Sequence, residues 1–333
     1  MNAHPRPADA QAIDEAARRL SEGELVAFPT ETVYGLGADA ACERAVAAVY
    51  RLKGRPADHP LIVHVLDATQ AAWWAHWPAR AQRLADAFWP GPLTLILRRR
   101  DEAPGFACGG QSSIGLRAPS HPVARALLEA FAARGGRGVA APSANRFGRV
   151  SPTRAAHVID DLGADAPMVL DGGPCEVGVE STIVDLTRDR PVLLRPGGVG
   201  ADQLEAVLGE SVFARDAQAP RAPGTLASHY APVTPIELVA RDEIDSLIAR
   251  LHAIGERVAL WARPGAGSGA DERLAMPADP ELAARALYGA LRTLDRSGCR
   301  RILVERVPDT GDWHAVADRL RRAAAGAGAA QRS

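Results

Sequence analysis

The chain has 333 residues, more than the roughly 150 of a typical domain, so we expect about two domains. A hydrophobic share of 47% and a charged share of 24% are typical of a globular protein with ample core material. The 39 basic and 40 acidic residues give a formal charge of −1, which argues against a tail that binds nucleic acid non-specifically. No apolar run approaches the ~20 residues of a membrane span, and the polar residues 1–12 lack the apolar segment of a signal peptide. We therefore expect a cytoplasmic protein with no membrane association.

The four cysteines are far apart in the sequence, and no C-x-x-C pair occurs. This spacing argues against a structural zinc site and against a disulfide framework. We expect buried free thiols at Cys42, Cys108, Cys175 and Cys299.

Two residue types are almost absent from the chain. Lys53 is the only lysine, so every other basic residue is an arginine, and Asn145 is the only asparagine besides Asn2. Lysine is a compact point charge, whereas arginine is a wide planar fork. Lys53 therefore marks a position where the fork does not fit, although a chance survivor is the alternative interpretation.

The first two hundred residues alternate short apolar runs with segments of helical spacing, which predicts an α/β sheet domain over residues 1–208. A serine shortly before a proline precedes two of the helices, which is a typical start signal. Predicted strands cover 25–29, 61–66, 93–97, 114–118, 139–141, 168–170, 181–186 and 192–195. Predicted helices cover 8–21, 42–51, 79–88, 122–133 and 153–162.

After a short helix at 202–208, residues 209–235 are rich in Pro, Ala and Arg and have little periodicity, which predicts a linker or lid. Residues 236–325 then alternate strands at 236–240, 258–261 and 301–305 with helices at 242–254, 280–297 and 313–325. This order predicts a small parallel α/β domain. We expect residues 326–333 to form a flexible tail.

The common nucleotide and hydrolase fingerprints are missing. Lys53 is followed by Gly-Arg and not by Ser or Thr, so it belongs to no P-loop, and no G-x-G-x-x-G opens a helix. No G-x-S-x-G elbow supports a catalytic triad. A phosphate site in this chain would therefore use side chains.

Dense polar segments stand instead at the ends of predicted strands, where open α/β sheets bind their ligands. The run 29–37 leaves a strand and is predicted to turn at Gly35 and Gly37. Residues Ser113, Gly115 and Arg117 alternate along one strand and so share a face. Each segment alone has a structural interpretation as a turn, a helix cap or a salt bridge. Together, their cations, hydroxyls and single amide predict an anion-binding crevice.

The sequence resembles the YrdC-like family at these residues, specifically its two-domain L-threonylcarbamoyladenylate synthases. The matching runs are PTETVYGLG, KGRPADHPLIVHV, FWPGPLTLIL, SIGLRAPSHPVA, APSANRFGRVSPT, DGGP, GVESTIVDL, LLRPGG and PGTLASHYAP. The resemblance implies a large, twisted, mixed-sheet YrdC-like domain followed by a smaller Rossmann-like parallel α/β domain. Two departures are His59, where relatives often carry asparagine, and residues 225–228, where many relatives are more basic.

The resemblance also implies a reaction in which L-threonine, bicarbonate or CO2, and ATP give threonylcarbamoyl-AMP and pyrophosphate. Mg²⁺ is expected to accompany ATP, with its protein ligands left open. The product would pass to a transferase complex that modifies the tRNA adenosine beside the anticodon. By motif, threonine is expected near Thr32, His64, Arg117, Ala141 and Ser181. ATP is expected near Lys53, Arg55, His59, Ser113, Ser143, Ser151, Arg195 and Tyr230. Supporting roles are expected for Thr30, Tyr34, Asn145 and Thr182.

Three other classes of protein remain as alternatives. An RNA-binding module could use the same cationic concave surface for weak RNA binding, against which stands the net charge of −1. A carbamoyl-transfer domain of the hydrogenase-maturation type shares the implied fold, but it occurs beside zinc-finger-like cysteines that this chain lacks. A structural partner protein would leave the clustered cations unexplained.

Overall fold

The structure, a computed structural model, describes residues 4–327. It divides into two compact units. The large unit contains the described residues up to Phe147 and Ser151–Thr225, and the small unit contains Gly148–Val150 and the described residues from Leu226 onward. The predicted linker 209–235 is therefore shared, because its residues up to Thr225 belong to the large unit and the rest belong to the small one. Among residues 4–327, no helix is both long enough and apolar enough to cross a membrane.

The large unit is built on a mixed sheet of eleven strands, in agreement with the predicted fold class. The strands are β1 (Arg6–Pro7), β2 (Val26–Phe28), β3 (Gly35–Asp39), β4 (Ile62–His64), β5 (Leu93–Arg98), β6 (Ser113–Arg117), β7 (Val139–Ala140), β8 (Met168–Asp171), β9 (Thr182–Asp185), β10 (Val192–Arg195) and β11 (Phe213–Ala214). Their order across the sheet is β1-β8-β2-β3-β7-β4-β6-β5-β9-β10-β11.

Seven helices accompany this sheet: α1 (Ala10–Ser21), α2 (Glu43–Lys53), α3 (Ala68–Trp74), α4 (Ala79–Phe88), α5 (Pro122–Ala133), α6 (Ala155–Leu162) and α7 (Ala201–Leu208). Helix α1 begins where the Asp9 carboxylate accepts a hydrogen bond from Ala12 N at 2.8 Å. Helix α5 begins with a proline at its first position. Helix α2 runs to Lys53 and ends at Gly54, whose φ of +62° is the left-handed conformation that glycine adopts readily.

Helices pack on both faces of the large sheet. Neighbouring residues of β2 belong to different hydrophobic clusters, Phe28 to one with α1 and α5, and Ala27 to one with α2, α4, α6 and α7. Because successive side chains of a strand point to opposite faces, these clusters lie on opposite sides of the sheet. The buried centre of the sheet therefore holds polar side chains away from bulk water.

The prediction of a turn at Gly35 and Gly37 was wrong. Both glycines lie inside β3, and neither has a positive φ. A Cβ atom at Gly37 would approach the Phe28 ring to 2.8 Å and Val139 Cγ1 to 2.9 Å. The glycines therefore serve close packing of β3 against its neighbours, and the chain does not reverse at them.

The small unit contains β12 (Ile236–Val239), α8 (Ile244–Ala253), β13 (Val258–Ala262), β14 (Glu272–Ala275), α9 (Pro280–Asp295), β15 (Arg301–Glu305) and α10 (His314–Gly326). Its sheet has the order β12-β15-β13-β14, and every pairing is parallel, as predicted. The sequence analysis missed β14, an edge strand whose residues are mostly exposed and include no β-branched side chain. Of the predicted tail, Gly326 is the last residue of α10, and residues 328–333 lie outside the described part of the chain.

Candidate functional site

The central strands of the large unit position most of the predicted site residues. Strands β4 and β6 are parallel, with His64 opposite Arg117, so these two side chains stand at the same strand ends. Ser113 lies at the other end of β6 on the same face as Arg117, about 13 Å away for four steps of a strand. β6 therefore spans the length of a small elongated ligand.

Arg117 is the centre of the predicted threonine site. It is only 4% exposed, and its guanidinium donates to Thr32 Oγ1 at 2.9 Å and to the carbonyl of Gly91 at 3.3 Å. Its Nη2 lies 2.7 Å from Glu31 Oε1. A buried planar fork held in this way is suited to bidentate recognition of a carboxylate.

Ser181 lies beside this arginine site and is fixed by two neighbours. Its hydroxyl is 2.8 Å from Thr94 Oγ1, and Arg195 donates to both its carbonyl, at 2.9–3.0 Å, and its hydroxyl, at 3.1 Å. Arg195 also donates to the carbonyl of Pro223 at 2.9 Å. The structure thus joins a predicted threonine residue to a predicted ATP residue through direct hydrogen bonds.

His64 is 3% exposed, and within residues 4–327 its Nδ1 has no hydrogen-bond partner. Burial first, and then the nearby charge of Arg117, lower the pKa of His64 to about 3. The imidazole is therefore neutral at neutral pH, and its Nδ1 is available to a ligand. Ala141, also predicted to contact threonine, follows β7, and its amide donates to the carbonyl of Ile62 at 3.0 Å.

Lys53 is the centre of a second polar group. It is 3% exposed, and its Nζ donates to the carbonyls of Ser143 and Asn145 at 2.5 Å each. Burial and then the charge of Arg55 lower the pKa of Lys53 well below its ordinary value. A bound phosphate would reverse this shift, because an opposite charge favours the protonated amine.

Arg55 and His59 lie in the loop that follows Lys53. Arg55 donates to the carbonyl of Pro60 at 2.9 Å, and its guanidinium lies 5.5 Å from the centre of the Phe147 ring. The ring of His59 meets the same phenylalanine edge-on at 5.6 Å. Burial and the charge of Arg55 lower the pKa of His59. The loop and Phe147 together thus place a cation beside two aromatic rings, which suits contact with a nucleotide.

The remaining predicted residues of the large unit are buried structural neighbours of these groups. Ser151 donates to Glu180 Oε1 at 2.6 Å. Thr30 Oγ1 is 2.8 Å from Thr32 Oγ1, Thr182 donates to the carbonyl of Val199 at 2.7 Å, and Tyr34 donates to the carbonyl of Gly173 at 2.7 Å. Asn145 contributes its carbonyl to Lys53. Ser113 is 8% exposed.

Tyr230 belongs to the small unit. It is 1% exposed and has a φ of +62°, the only positive φ of a residue other than glycine in the described chain. Its ring packs near His229 at 4.2 Å, Tyr288 at 5.7 Å and the guanidinium of Arg319 at 5.4 Å. A left-handed tyrosine is strained, and such strain persists only where packing enforces it.

Sequence reasoning missed three buried polar residues. Glu31, Thr94 and Glu180 are each at most 7% exposed and each contacts a predicted site residue. Glu31 and Glu180 stand directly before Thr32 and Ser181, so adjacency to a motif hydroxyl was the available signal. Thr94 carried no comparable signal, because a threonine is an ordinary residue of a strand. No group of three His, Cys, Asp or Glu side chains placed to hold a metal ion occurs in the part of the chain that the structure describes.

Comparison with known families gives two matches along the chain. A family model described as "Telomere recombination", the Sua5/YciO/YrdC model, matches residues 18–197. A second model, described as "Threonylcarbamoyl-AMP synthase, C-terminal domain", matches residues 199–325. Together the two models cover most of both units.

Individual relatives match over almost the whole chain. A threonylcarbamoyl-AMP synthase of Pyrococcus abyssi is 43% identical over 321 residues, which is 92% of each chain. One of Bacillus subtilis is 41% identical and covers 94% of this chain and 93% of its own. A crystal structure of P. abyssi Sua5 complexed with L-threonine superposes with a TM-score of 0.87 at 41% identity and covers 94% of both chains.

Proposed function

We propose that this protein makes threonylcarbamoyl-AMP. The chain belongs to the Sua5/YciO/YrdC family, and it carries the C-terminal domain of threonylcarbamoyl-AMP synthases. The substrates are L-threonine, bicarbonate or CO2, and ATP, and the second product is pyrophosphate. A solved relative with L-threonine bound supports the choice of amino acid. The adenylate then serves a downstream complex that transfers the threonylcarbamoyl group to tRNA.

The observation that carries the proposal is the arrangement of buried cations along the central strands. Arg117 is ready for the threonine carboxylate at one end of β6, and Ser113 marks the other end. Arg195 contacts Ser181 directly, so phosphate and amino acid would bind side by side. This geometry favours the joining of the two ligands over the binding of either one alone.

The chemistry requires positioning and charge neutralisation rather than a covalent nucleophile. The threonine amine, after losing one proton, attacks CO2 with loss of a second proton, or bicarbonate with loss of water, to give a carbamate. A carbamate oxygen then attacks the α-phosphate while pyrophosphate leaves. Carbamates are short-lived in water, and the near-complete burial of Thr32, Arg117 and Ser181 keeps water away from the adduct. Lys53, Arg55 and Arg195 stabilise the negative charge that develops on the phosphates.

Mg²⁺ would arrive with the triphosphate, since this ion is usually held by substrate phosphates and one or two carboxylates. When bound, it would neutralise charge on the leaving pyrophosphate. Glu180, held by the Ser151 hydroxyl, fits the role of an oxygen donor near a predicted ATP residue.

The segment 209–235 is proposed to act as a lid over bound ATP. The Pro223 carbonyl in this segment accepts a hydrogen bond from Arg195. A ligand that binds Arg195 would therefore alter a contact that holds the segment in place. Limited proteolysis tests this role: cleavage within 209–235 should slow when ATP and threonine are both present. Equal cleavage with and without the two ligands would contradict it.

The activity itself is tested by incubating the protein with ATP, Mg²⁺, bicarbonate and each amino acid in turn. Pyrophosphate and the adenylate should form with threonine and at far lower rates with valine, which lacks the hydroxyl, and with serine, which lacks the methyl group. A rate of pyrophosphate release that is the same with every amino acid would refute the proposal. RNA affinity that falls steeply with salt and ignores threonine would favour the RNA-binding alternative.

A further inference from the structure

Glu31 is a buried carboxylate whose hydrogen-bonding capacity is unused. It is 3% exposed, and one oxygen lies 2.7 Å from Arg117 Nη2. Within residues 4–327, neither of its oxygens accepts a hydrogen bond of acceptable geometry. A carboxylate offers about four acceptor positions. Glu31 therefore faces the site with acceptors that no described side chain fills.

Such a group is costly in a folded protein. A buried polar atom without a hydrogen-bond partner destabilises the folded state, and a charged atom does so more strongly. The ion pair with Arg117 offsets only part of this cost, because Arg117 Nη2 likewise lacks a hydrogen bond of good geometry. A carboxylate kept in this state is explained most simply by a donor that the ligand brings.

The substrate of the proposed reaction brings that donor. Threonine binds as a zwitterion, with a carboxylate and an ammonium group separated by one carbon atom. An ammonium group buried beside the arginine alone would lack a protein counter-charge, which strongly disfavours binding. The site residues expected from the sequence contain no acid, and Glu180 already accepts a hydrogen bond from Ser151.

We propose that Glu31 receives the α-ammonium group of the amino acid substrate while Arg117 receives its carboxylate. The assignment rests on the proposed function and adds a substrate-binding residue to it. The two side chains are adjacent, with Thr32 Oγ1 also bonded to Arg117, so they match the short spacing between the two charges of an amino acid. A neutral zwitterion would then bind against a neutral ion pair, and the buried site would gain no net charge.

The other titratable groups near Glu31 leave this pairing intact. Burial, and then the charge of Glu31, raise the pKa of the Cys175 thiol to about 12, so the thiol stays neutral. Burial lowers the pKa of His121, although the charges of Glu31 and Glu176 oppose that shift. Within the described residues, Arg117 is the cation in ion-pair contact with Glu31.

The test compares two ligands that differ only at the position of the ammonium group. Calorimetry on the full chain without ATP would measure the Kd of L-threonine and of 2,3-dihydroxybutyrate, which carries a hydroxyl where threonine carries its ammonium group. The wild type should prefer threonine. Glu31→Gln should weaken threonine binding by roughly 10- to 100-fold and change binding of the analogue little, because only threonine uses the charged acceptor. The exposed Glu176→Gln in the same region is the matched control and should bind both ligands as the wild type does.

If Glu31 acts only by holding Arg117 in place, Glu31→Gln should lose equal affinity for both ligands. That result would overturn the proposal. Wild-type preference in Glu31→Gln would overturn it as well. If Glu31→Gln does not fold, Glu31→Asp is the second variant, because it keeps the negative charge but moves it away from the ligand by one methylene group. A several-fold loss of affinity for threonine alone supports the assignment. Equal losses of affinity for both ligands, or no loss, refute it. A wild type that binds no threonine would instead refute the proposed function.

Discussion

The two units differ in how they bury some of their charged groups. In the large unit, Lys53 donates to backbone carbonyls, and burial lowers the pKa values of both Lys53 and His64 toward their neutral forms. In the small unit, Glu305 is fully buried against Arg241 and Arg263. Burial alone would raise the pKa of Glu305, but these arginines lower it and keep the carboxylate charged.

A second buried carboxylate in the small unit, Asp318, is also paired with two arginines. Asp318 is 5% exposed and contacts Arg319 and Arg322 at 2.8 Å. Burial would raise its pKa, but the charge of Arg319 and the hydrogen bond from Arg322 lower it. Charges that cancel within the protein stabilise a fold, whereas groups that burial pushes toward neutrality are available to an incoming ion. This difference distinguishes the structural charge network of the small unit from the proposed binding site of the large unit.

The largest effect is expected for Lys53→Arg, which keeps the charge and changes its shape. A planar guanidinium cannot occupy the narrow position of Nζ between the two carbonyls. We expect kcat/KM for adenylate formation to fall about 1,000-fold, or about 4 kcal/mol, while the chain still folds. Pyrophosphate release and thermal unfolding measure the two quantities. The exposed Arg51→Lys on the same helix is the control, and wild-type turnover in Lys53→Arg would remove the special role of this lysine.

Asp318→Asn should show the opposite profile, with lost stability and a largely retained site. The change removes the Asp318 carboxylate charge beside fully buried Arg319, and breaking a buried ion pair typically costs 3–5 kcal/mol; we expect about 3 kcal/mol. Denaturant unfolding of the full chain, followed by a probe of the small unit such as Trp261, measures it. Asp309→Asn removes an exposed ion pair with Arg321 and should cost less than about 1 kcal/mol. Equal costs for the two variants would contradict the distinction between the units.

His64 should make the large unit sensitive to acid. Its pKa is about 3 in the folded chain, against an ordinary value near 6.5, so between these values the unfolded chain binds more protons. Stability from this residue is therefore complete above pH 6.5 and falls as the pH drops, by about 2 kcal/mol at pH 5. His64→Gln should flatten the difference in stability between pH 7 and pH 5. The exposed His76→Gln should leave it unchanged, and an unchanged slope in His64→Gln would show that the imidazole is not buried as a neutral group.

The smallest effect is expected for Thr94→Val, which removes the hydroxyl 2.8 Å from Ser181 Oγ. Ser181 should lose its fixed orientation, and KM for threonine should rise about tenfold, the cost of one hydrogen bond in a buried site. Steady-state kinetics at saturating ATP measure the change. Thr94→Ser keeps the hydroxyl and should restore most of the affinity; if it behaves like valine, packing and not the hydrogen bond explains the effect.

Much of the site could be predicted from the sequence because its residues stand in short runs beside strands. Arg117, Ser181 and Arg195 were expected in one crevice, and the structure joins Ser181 to Arg195 by direct hydrogen bonds. The roles of the two glycines of β3 could not be read in this way. Both a turn and a tightly packed strand require glycine, and only the neighbouring Phe28 and Val139 distinguish the two cases.

The amino-acid sequence alone determined the α/β class, most of the helices and the parallel small sheet, since these depend on local periodicity, and its short motifs supplied the candidate site residues. Tertiary structure decided which partners and protonation states those residues have. Glu31 and Arg117 are far apart in the sequence, and only the fold brings them together. The pKa values of His64 and Lys53 fall only when the surrounding chain excludes water from them. Desolvation is a collective property of the packed fold, and no single segment of the chain encodes it.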